Sequence, residues 1–172
     1  VPEAVARPEN ESDVKDLLEY AISSGTSVTF RTAGTSLSGQ TVTKGIIAEV
    51  VRGWKQHEIL DNGAAIQLQP GVIGGRSNLY LQPYHRRIGP DPASIDSAMI
   101  GGIISNNSSG MVCGVKHNSY HTLRHIRFIL ANGNCYDTSN PDDYEKFLNI
   151  EKDLCTGLLL CRKEIENNST LK

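Results

Sequence analysis

The sequence predicts an α+β fold of two lobes: a small βαβ lobe at the N-terminus, then a second lobe with a mainly antiparallel sheet and flanking helices. Three observations carry this. Two strand-like runs bracket a stretch with helical apolar spacing in the first 31 residues. Later strand-like runs are separated by tight turns, Asp61-Asn62-Gly63 and Ala131-Asn132-Gly133, rather than by helices. Two long strips rich in glycine, hydroxyl and amide residues, 32–40 and 89–114, interrupt these elements, and long loops in a compact domain are usually functional. The expected boundaries are 1–55 for the first lobe, 56–140 for the second, and 141–172 for a helical segment leading to parts outside this chain.

Residues 5–8 read as a short strand. Val14, Leu17, Leu18, Ala21 and Ile22 then recur at helical spacing, with Asn10 or Ser12 placed to cap the start and Gly25 placed as a left-handed residue that ends the helix. Residues 27–31 form the next strand, with Val28 and Phe30 expected inward, and complete a right-handed βαβ unit. The loop 32–40 therefore leaves the carboxyl end of a parallel strand, where open α/β sheets bind ligands. An apolar run over 46–51, broken only by Glu49, reads as a buried strand; 65–68 supplies another before the turn at Pro70-Gly71. Strand character resumes over 124–130, and 143–166 reads as one or two helices.

Composition narrows the function classes. A hydrophobic share of 38% and a charged share of 21% are ordinary for a soluble globular domain, and 172 residues suffice for one. The net charge of -2 and the scattered basic residues exclude an electrostatic footprint for nucleic acid. No apolar run approaches the roughly 18 residues of a membrane span, and Val1-Pro2-Glu3 has no signal-peptide character. Cys113, Cys135, Cys155 and Cys161 form no CxxC pair and have no histidines at zinc spacing, so they read as reduced thiols in a cytoplasmic chain and no metal site is expected. The absence of an initial Met and the polar stretch from Arg162 to Lys172 read as cut ends.

The first strip, Gly34-Thr35-Ser36-Leu37-Ser38-Gly39, pairs glycines that let backbone N–H groups approach an anion with hydroxyls that add donors. A tight surface turn is the plainer alternative. Gly34 to Thr41 nearly spells a P-loop, but Gln40 stands where the phosphate-neutralising lysine belongs and the chain leads into a strand rather than a helix. The GxGxxG dinucleotide fingerprint is absent from the first βα turn. In the second strip, Gly101-Gly102 would let a flat ring lie against the backbone, and the run Asn106 to Gly110 offers donors and acceptors for its polar edge. Helix packing at the glycines and a solvated loop beyond them are the alternatives.

The ordered set RTAGTSLSG at 31–39, QPGV at 69–72, PDPAS at 90–94, IGGIISNNSSGM at 100–111 and LANG at 130–133 resembles the FAD domain of the vanillyl-alcohol oxidase and p-cresol methylhydroxylase (PCMH-type) superfamily. The likeness runs over about 5–138 and is nearest to the D-lactate dehydrogenase and glycolate oxidase group. The stretch NNSSGMVCGVKHNSYHTL is similar to the branch fused to an iron-sulfur domain, which includes D-2-hydroxyglutarate dehydrogenases. Departures are Phe30 where many relatives have proline and Thr32 where many have glycine.

The resemblance implies an FAD site. Arg31, Thr32, Ala33, Gly34, Thr35, Ser36, Leu37 and Gly39 would wrap the diphosphate. Pro90, Asp91 and Ser94 would lie near the flavin; Ile100, Gly101, Gly102, Ser105, Asn106, Ser109 and Gly110 would contact the isoalloxazine and ribityl chain, with Gly114 and Val115 at the approach that follows. Covalent attachment in the superfamily commonly uses a first-loop histidine, and Thr35 there implies noncovalent FAD. No catalytic residue is expected in this chain: His117 and His121 read as surface or packing residues, and the family's catalytic histidine motif, EGTLG-type segment, substrate domain and iron-sulfur cysteines are not in it. Residues 164–172 resemble the linker to such parts. The implied intact enzyme moves hydride from a small D-2-hydroxy acid to flavin. Its electrons pass to a quinone, an iron-sulfur centre or another protein, in the cytoplasm or at the inner face of the membrane. A UDP-N-acetylenolpyruvoylglucosamine-type reductase and a nonenzymatic nucleotide-binding module are the alternatives.

Overall fold

A computed structural model of the chain describes residues 1–168 and 170. It divides into two compact units, Val1–Leu123 and Arg124–Lys172. The expected α+β class holds. In the first unit β1 (Ala4–Ala6), α1 (Glu11–Ser24), β2 (Val28–Arg31) and β3 (Ile46–Glu49) build a three-stranded parallel sheet in the order β1-β3-β2. The crossover from β1 to β2 leaves a central slot, and β3 fills it. That position explains its unbroken apolar run: Ile46, Ile47 and Ala48 are covered on both faces and at most 5% exposed.

Helix α1 begins where Asn10 Oδ1 accepts from the Asp13 N–H at 3.0 Å, so Asn10 rather than Ser12 is the cap. It ends at Gly25, whose φ of 67° is the left-handed conformation glycine adopts without a Cβ penalty. Val14, Leu18 and Ala21 are buried, but Ile22, expected on the same face, is 65% exposed. At 3.6 residues per turn Ile22 points about 80° away from Val14, off the buried stripe. Phe30 is likewise 46% exposed rather than inward, because β2 is an edge strand.

Strands β4 (His57–Leu60) and β5 (Ala65–Leu68) form an antiparallel hairpin across the turn Asp61–Gly63. After the turn at Pro70-Gly71 comes α2 (Gly74–Leu81), which the sequence reading leaves without an element. Its buried residues are Gly74, Ser77 and Leu81, too polar and too few to register as an apolar stripe. Two short helices follow, α3 (Ile100–Ser105) and α4 (Ser119–Thr122). Buried Trp54 donates its indole N–H to the Pro8 carbonyl at 2.7 Å and ties the segment after β3 to the end of β1.

The second unit holds the antiparallel pair β6 (Arg127–Ile129) and β7 (Cys135–Asp137), then α5 (Pro141–Ile150) and α6 (Lys152–Asn167). The long helical stretch is thus two helices, broken at Glu151 with φ -96° and ψ 39°. The final residues of the linker-like stretch, Ser169, Leu171 and Lys172, lie outside the described residues. Glu151 anchors the hairpin. Its carboxylate accepts from the Tyr136 hydroxyl at 2.8 Å, from Asn134 at 2.7 Å and from Asn132 at 3.1 Å. Buried Tyr136 packs edge-on against Phe147 at 5.0 Å. Burial, then the Glu151 carboxylate, push its phenol up to about 12.

Hydrogen bonds from Asn134, Asn132 and Tyr136 hold the Glu151 carboxyl below its usual 4.5. A depressed folded-state pKa stabilises the fold above the unfolded value, and that contribution drains away as pH falls below 4.5 toward the lowered folded value. Amide-exchange protection of β6 and β7 is therefore expected to fall in that acid range. A Glu151→Gln variant is expected to be weaker near neutrality and flat across the range; an equal acid-induced loss in both proteins would contradict the assignment.

Candidate functional site

The first glycine strip leaves the carboxyl end of the parallel sheet. Arg31 is the last residue of β2 and pairs in register with Glu49, the last of β3. The Arg31 guanidinium donates to one Glu49 carboxylate oxygen, and Arg7 donates its Nε–H to the other at 2.9 Å. The bonds from Arg31, then Arg7, outweigh burial and hold the Glu49 carboxyl below the usual range. Directly above lies Gly34, at φ 69°, whose missing Cβ would sit 3.1 Å from Arg31 Cδ. The first left-handed residue of the loop rests on the arginine stem.

Beyond Gly34 the loop is open. Ala33, Thr35 and Leu37 are exposed, the Ser36 hydroxyl donates to the Gln40 side chain, and Gly39 turns at φ 75° with its carbonyl accepting from Val42 at 3.0 Å. No backbone N–H from Ala33 through Thr41 donates to a partner among the described residues. The polypeptide then enters β3 rather than a helix, which removes the P-loop reading.

The second strip comes back to meet the first. Helix α3 is docked by its opening N–H groups, with Ile100 donating to the Val72 carbonyl and Gly101 to the Pro70 carbonyl, each at 2.9 Å. Docking presses the two glycines against Thr32. A Cβ at Gly101 would lie 2.8 Å from Pro70 Cβ and 3.1 Å from Thr32 Cγ2; at Gly102 it would meet a single heavy atom within 4 Å, Thr32 Oγ1 at 3.2 Å. The glycines thus divide their roles. Gly101 lets the protein pack on itself, and Gly102 keeps an open face.

Ser105 donates its hydroxyl to the Gly101 carbonyl at 2.7 Å, and the Asn106 N–H closes the helix on Gly102. Ser109 is exposed. The Asp91 carboxylate accepts from the N–H groups of Gly110 and Cys113, both at 3.1 Å, and so folds the end of the amide-rich run back onto the Pro90 turn. Burial pushes the Asp91 carboxyl up, but bonds from the Cys113 thiol and the N–H groups of Cys113, Gly110 and Val112 hold it below the usual range. Pro90 is buried and the Ser94 carbonyl accepts from Ala98 at 2.7 Å, whereas Gly114, at φ 50°, and Val115 are exposed. His117 and His121 are exposed too, and the His121 ring is hydrogen-bonded to buried Asn118 at 2.8 Å.

The structure therefore brings together Arg31, Thr32, Gly34, Gly101 and Gly102 in one place, and Asp91 with Gly110 in another. It adds three residues that the sequence reading passes over as site residues: Glu49, Arg7 and Pro70. Glu49 carried a visible signal, being the lone charge in an apolar strand. Arg7 carried none. Among the described residues no group of three or more His, Cys, Asp or Glu side chains is placed to hold a metal, and no helix is long and apolar enough to cross a membrane.

Comparison with known proteins identifies the family and the fold. A family model described as an FAD binding domain matches residues 2–139. The chain is similar to D-2-hydroxyglutarate dehydrogenase of Escherichia coli (strain K12), 28% identical over 142 residues that cover 80% of this chain and 14% of that protein. It is also similar to glycolate oxidase subunit GlcD of the same organism, 28% identical over 134 residues covering 77% of this chain and 27% of that protein. The chain thus spans about a seventh to a quarter of these curated relatives. Among solved structures, 6-hydroxy-D-nicotine oxidase from Arthrobacter nicotinovorans superimposes with a TM-score of 0.69 at 17% identity, over 80% of this chain and 30% of that one. Glucooligosaccharide oxidase from Acremonium strictum, whose FAD is 6-S-cysteinyl and 8α-N1-histidyl, gives 0.66 at 16% identity, over 80% and 29%. These last two are likenesses of fold.

The packing at Asp91 makes a graded prediction. A Cβ at Gly110 would fall 2.0 Å from the Asp91 carbonyl oxygen, so Gly110→Ala forces backbone movement and is expected to cost about 1–3 kcal/mol. Gly114→Ala meets nothing within 4 Å and bears only the left-handed penalty of about 1–2 kcal/mol. Denaturant midpoints of the intact protein rank the two, and a smaller loss at Gly110 than at Gly114 would contradict the packing.

Proposed function

The chain belongs to the FAD binding domain family, and from that premise we propose that it is the cofactor-holding part of a flavin-dependent D-2-hydroxy acid dehydrogenase. The observation that carries the reading is the meeting at Thr32, where a loop whose N–H groups donate to no partner among the described residues touches the open face at Gly102. FAD requires both halves: donors for a diphosphate, and a place without side chains for the rest of the cofactor. The residues present fit it. Backbone groups from Ala33 to Thr41 and the hydroxyls of Thr35, Ser36 and Ser38 would hold the diphosphate. Gly102 would leave room beside them, and Asp91 would keep 110–113 in place at the edge.

Thr35 offers no imidazole for attachment to the flavin, which supports noncovalent binding. Bound FAD supplies a two-electron hydride acceptor that no amino-acid side chain provides. The chain's own residues orient and desolvate the cofactor, while the groups that handle the substrate proton belong to other segments. A substrate of the D-lactate, glycolate or D-2-hydroxyglutarate kind is supported by the names of the curated relatives. The acceptor of the electrons, whether quinone, iron-sulfur centre or protein, and a location in the cytoplasm or against the inner membrane face belong to the same proposal.

The intact protein is expected to be yellow and to bleach anaerobically with one of these hydroxy acids. Gly102→Leu fills the open face and is expected to lower FAD affinity by about tenfold or more, roughly 1.4 kcal/mol; Gly157→Ala on α6, with nothing within 4 Å, is expected to leave it unchanged. A colourless protein that takes up no added FAD overturns the proposal, as does a Gly102→Leu variant that binds FAD normally.

A further inference from the structure

We infer that Glu49 is a positioning residue for the first glycine loop, acting through Arg31, and that this role outweighs its effect on local charge. The inference rests on the flavin reading above and deepens it. Three strand ends converge at the carboxyl edge of the parallel sheet. Arg31 and Glu49 stand in register on neighbouring strands, and Arg7 follows directly after β1. Glu49 occupies the central strand and commits one carboxylate oxygen to each arginine. The Arg31 side chain is 32% exposed and that of Glu49 is 20% exposed, so the inner pair is partly shielded from water; Arg7, at 61%, is the outer arm.

The loop has little else to hold it. From Ala33 to Thr43 it contains no Lys or Arg, and its backbone N–H groups through Thr41 donate to no partner among the described residues. Its first turn rests on the Arg31 stem through Gly34, at 3.1 Å from Cδ to the absent Cβ. The rotamer of Arg31 therefore sets the height at which the loop begins. Arg31 is a long side chain with several free torsions, and its bond to Glu49 is what selects one of them.

Charge and position make opposite predictions, which gives the inference its test. Two arginines and one glutamate leave a single net positive charge beside a loop meant for a diphosphate. Glu49→Gln raises that to two. If Glu49 acted only as a charge, the variant would bind FAD more tightly. If it positions Arg31, the variant binds more weakly: the amide keeps the shape but loses the charge-assisted bonds, and Arg31 is released from under Gly34.

The measurement uses the intact protein. Glu49→Gln is expected to raise the FAD dissociation constant about tenfold and to speed thermolysin cleavage beside the exposed Leu37 in the absence of FAD. Arg31→Lys keeps the charge but replaces the guanidinium and the Nε that lies under Gly34, so it too is expected to weaken binding, where a charge-only role leaves binding unchanged. Glu49→Asp, one methylene shorter, is expected to restore part of the loss, and Arg7→Ala is expected to change affinity less than Glu49→Gln. Unchanged or tighter binding in both Glu49→Gln and Arg31→Lys overturns the inference, as does unchanged cleavage of the loop. If the unsubstituted protein takes up no FAD the flavin reading fails, and the cleavage measurement still decides whether Glu49 holds the loop. Should Glu49→Gln fail to fold, Arg31→Lys carries the same decision.

Discussion

Thr32 sits where two parts of the chain some 70 residues apart press together, and the rest of the first unit is arranged to let them. Helix α3 has six residues, too few to persist unaided, since helix nucleation is costly and short helices depend on tertiary packing. It is held by the carbonyls of Pro70 and Val72 beneath its first turn and by Ile103, which is 1% exposed. Those carbonyls are placed by the hairpin β4-β5, and Thr32 is placed by the parallel pair β2-β3. A side chain at Gly101 would push α3 off both supports. The close approach is possible only because the helix presents glycine to both Pro70 and Thr32.

Local signals in the sequence were readable wherever a single residue decides a local conformation. Asn10 caps α1 and Gly25 ends it because an acceptor side chain and a left-handed φ are needed there and few residue types serve. The same holds for the turns at 61–63 and 131–133. Position on a face was harder to read. Ile22 and Phe30 are apolar yet exposed, one because it falls off the helical stripe and the other because its strand is an edge, and neither fact is written in the residue itself. Helix α2 carries no readable signal for the converse reason. Its buried positions include Gly74, against which the side chains of Ile95 and Ile103 pack, and Ser77, fully buried with its hydroxyl toward the Ile73 carbonyl.

The candidate site divides along the same line. Its chemistry was legible, since small residues, hydroxyls and amides in two strips announce backbone donors and open faces. Its geometry was not, because the division of labour between Gly101 and Gly102 depends on Pro70 and Thr32. Asp91 is a further case. Its place in the second strip marked it as a residue of the site, but its carboxylate is spent on the N–H groups of Gly110 and Cys113, and the acid shapes the loop it precedes.

The comparison with a P-loop explains why the charge is arranged as it is. A P-loop sets a lysine among its phosphate-binding N–H groups; here Gln40 replaces it and the loop is neutral. A cation inside such a loop would attract any phosphate strongly and indiscriminately. A neutral loop of N–H groups instead binds by shape, because each donor contributes only if the backbone already stands at the right height. Preorganisation then matters more than net charge, and the neighbouring charged residues become supports. That is the arrangement found at the strand ends. The guanidinium nearest the loop is tied to a carboxylate, its stem bears the weight of Gly34, and the second arginine helps to keep the carboxylate ionised.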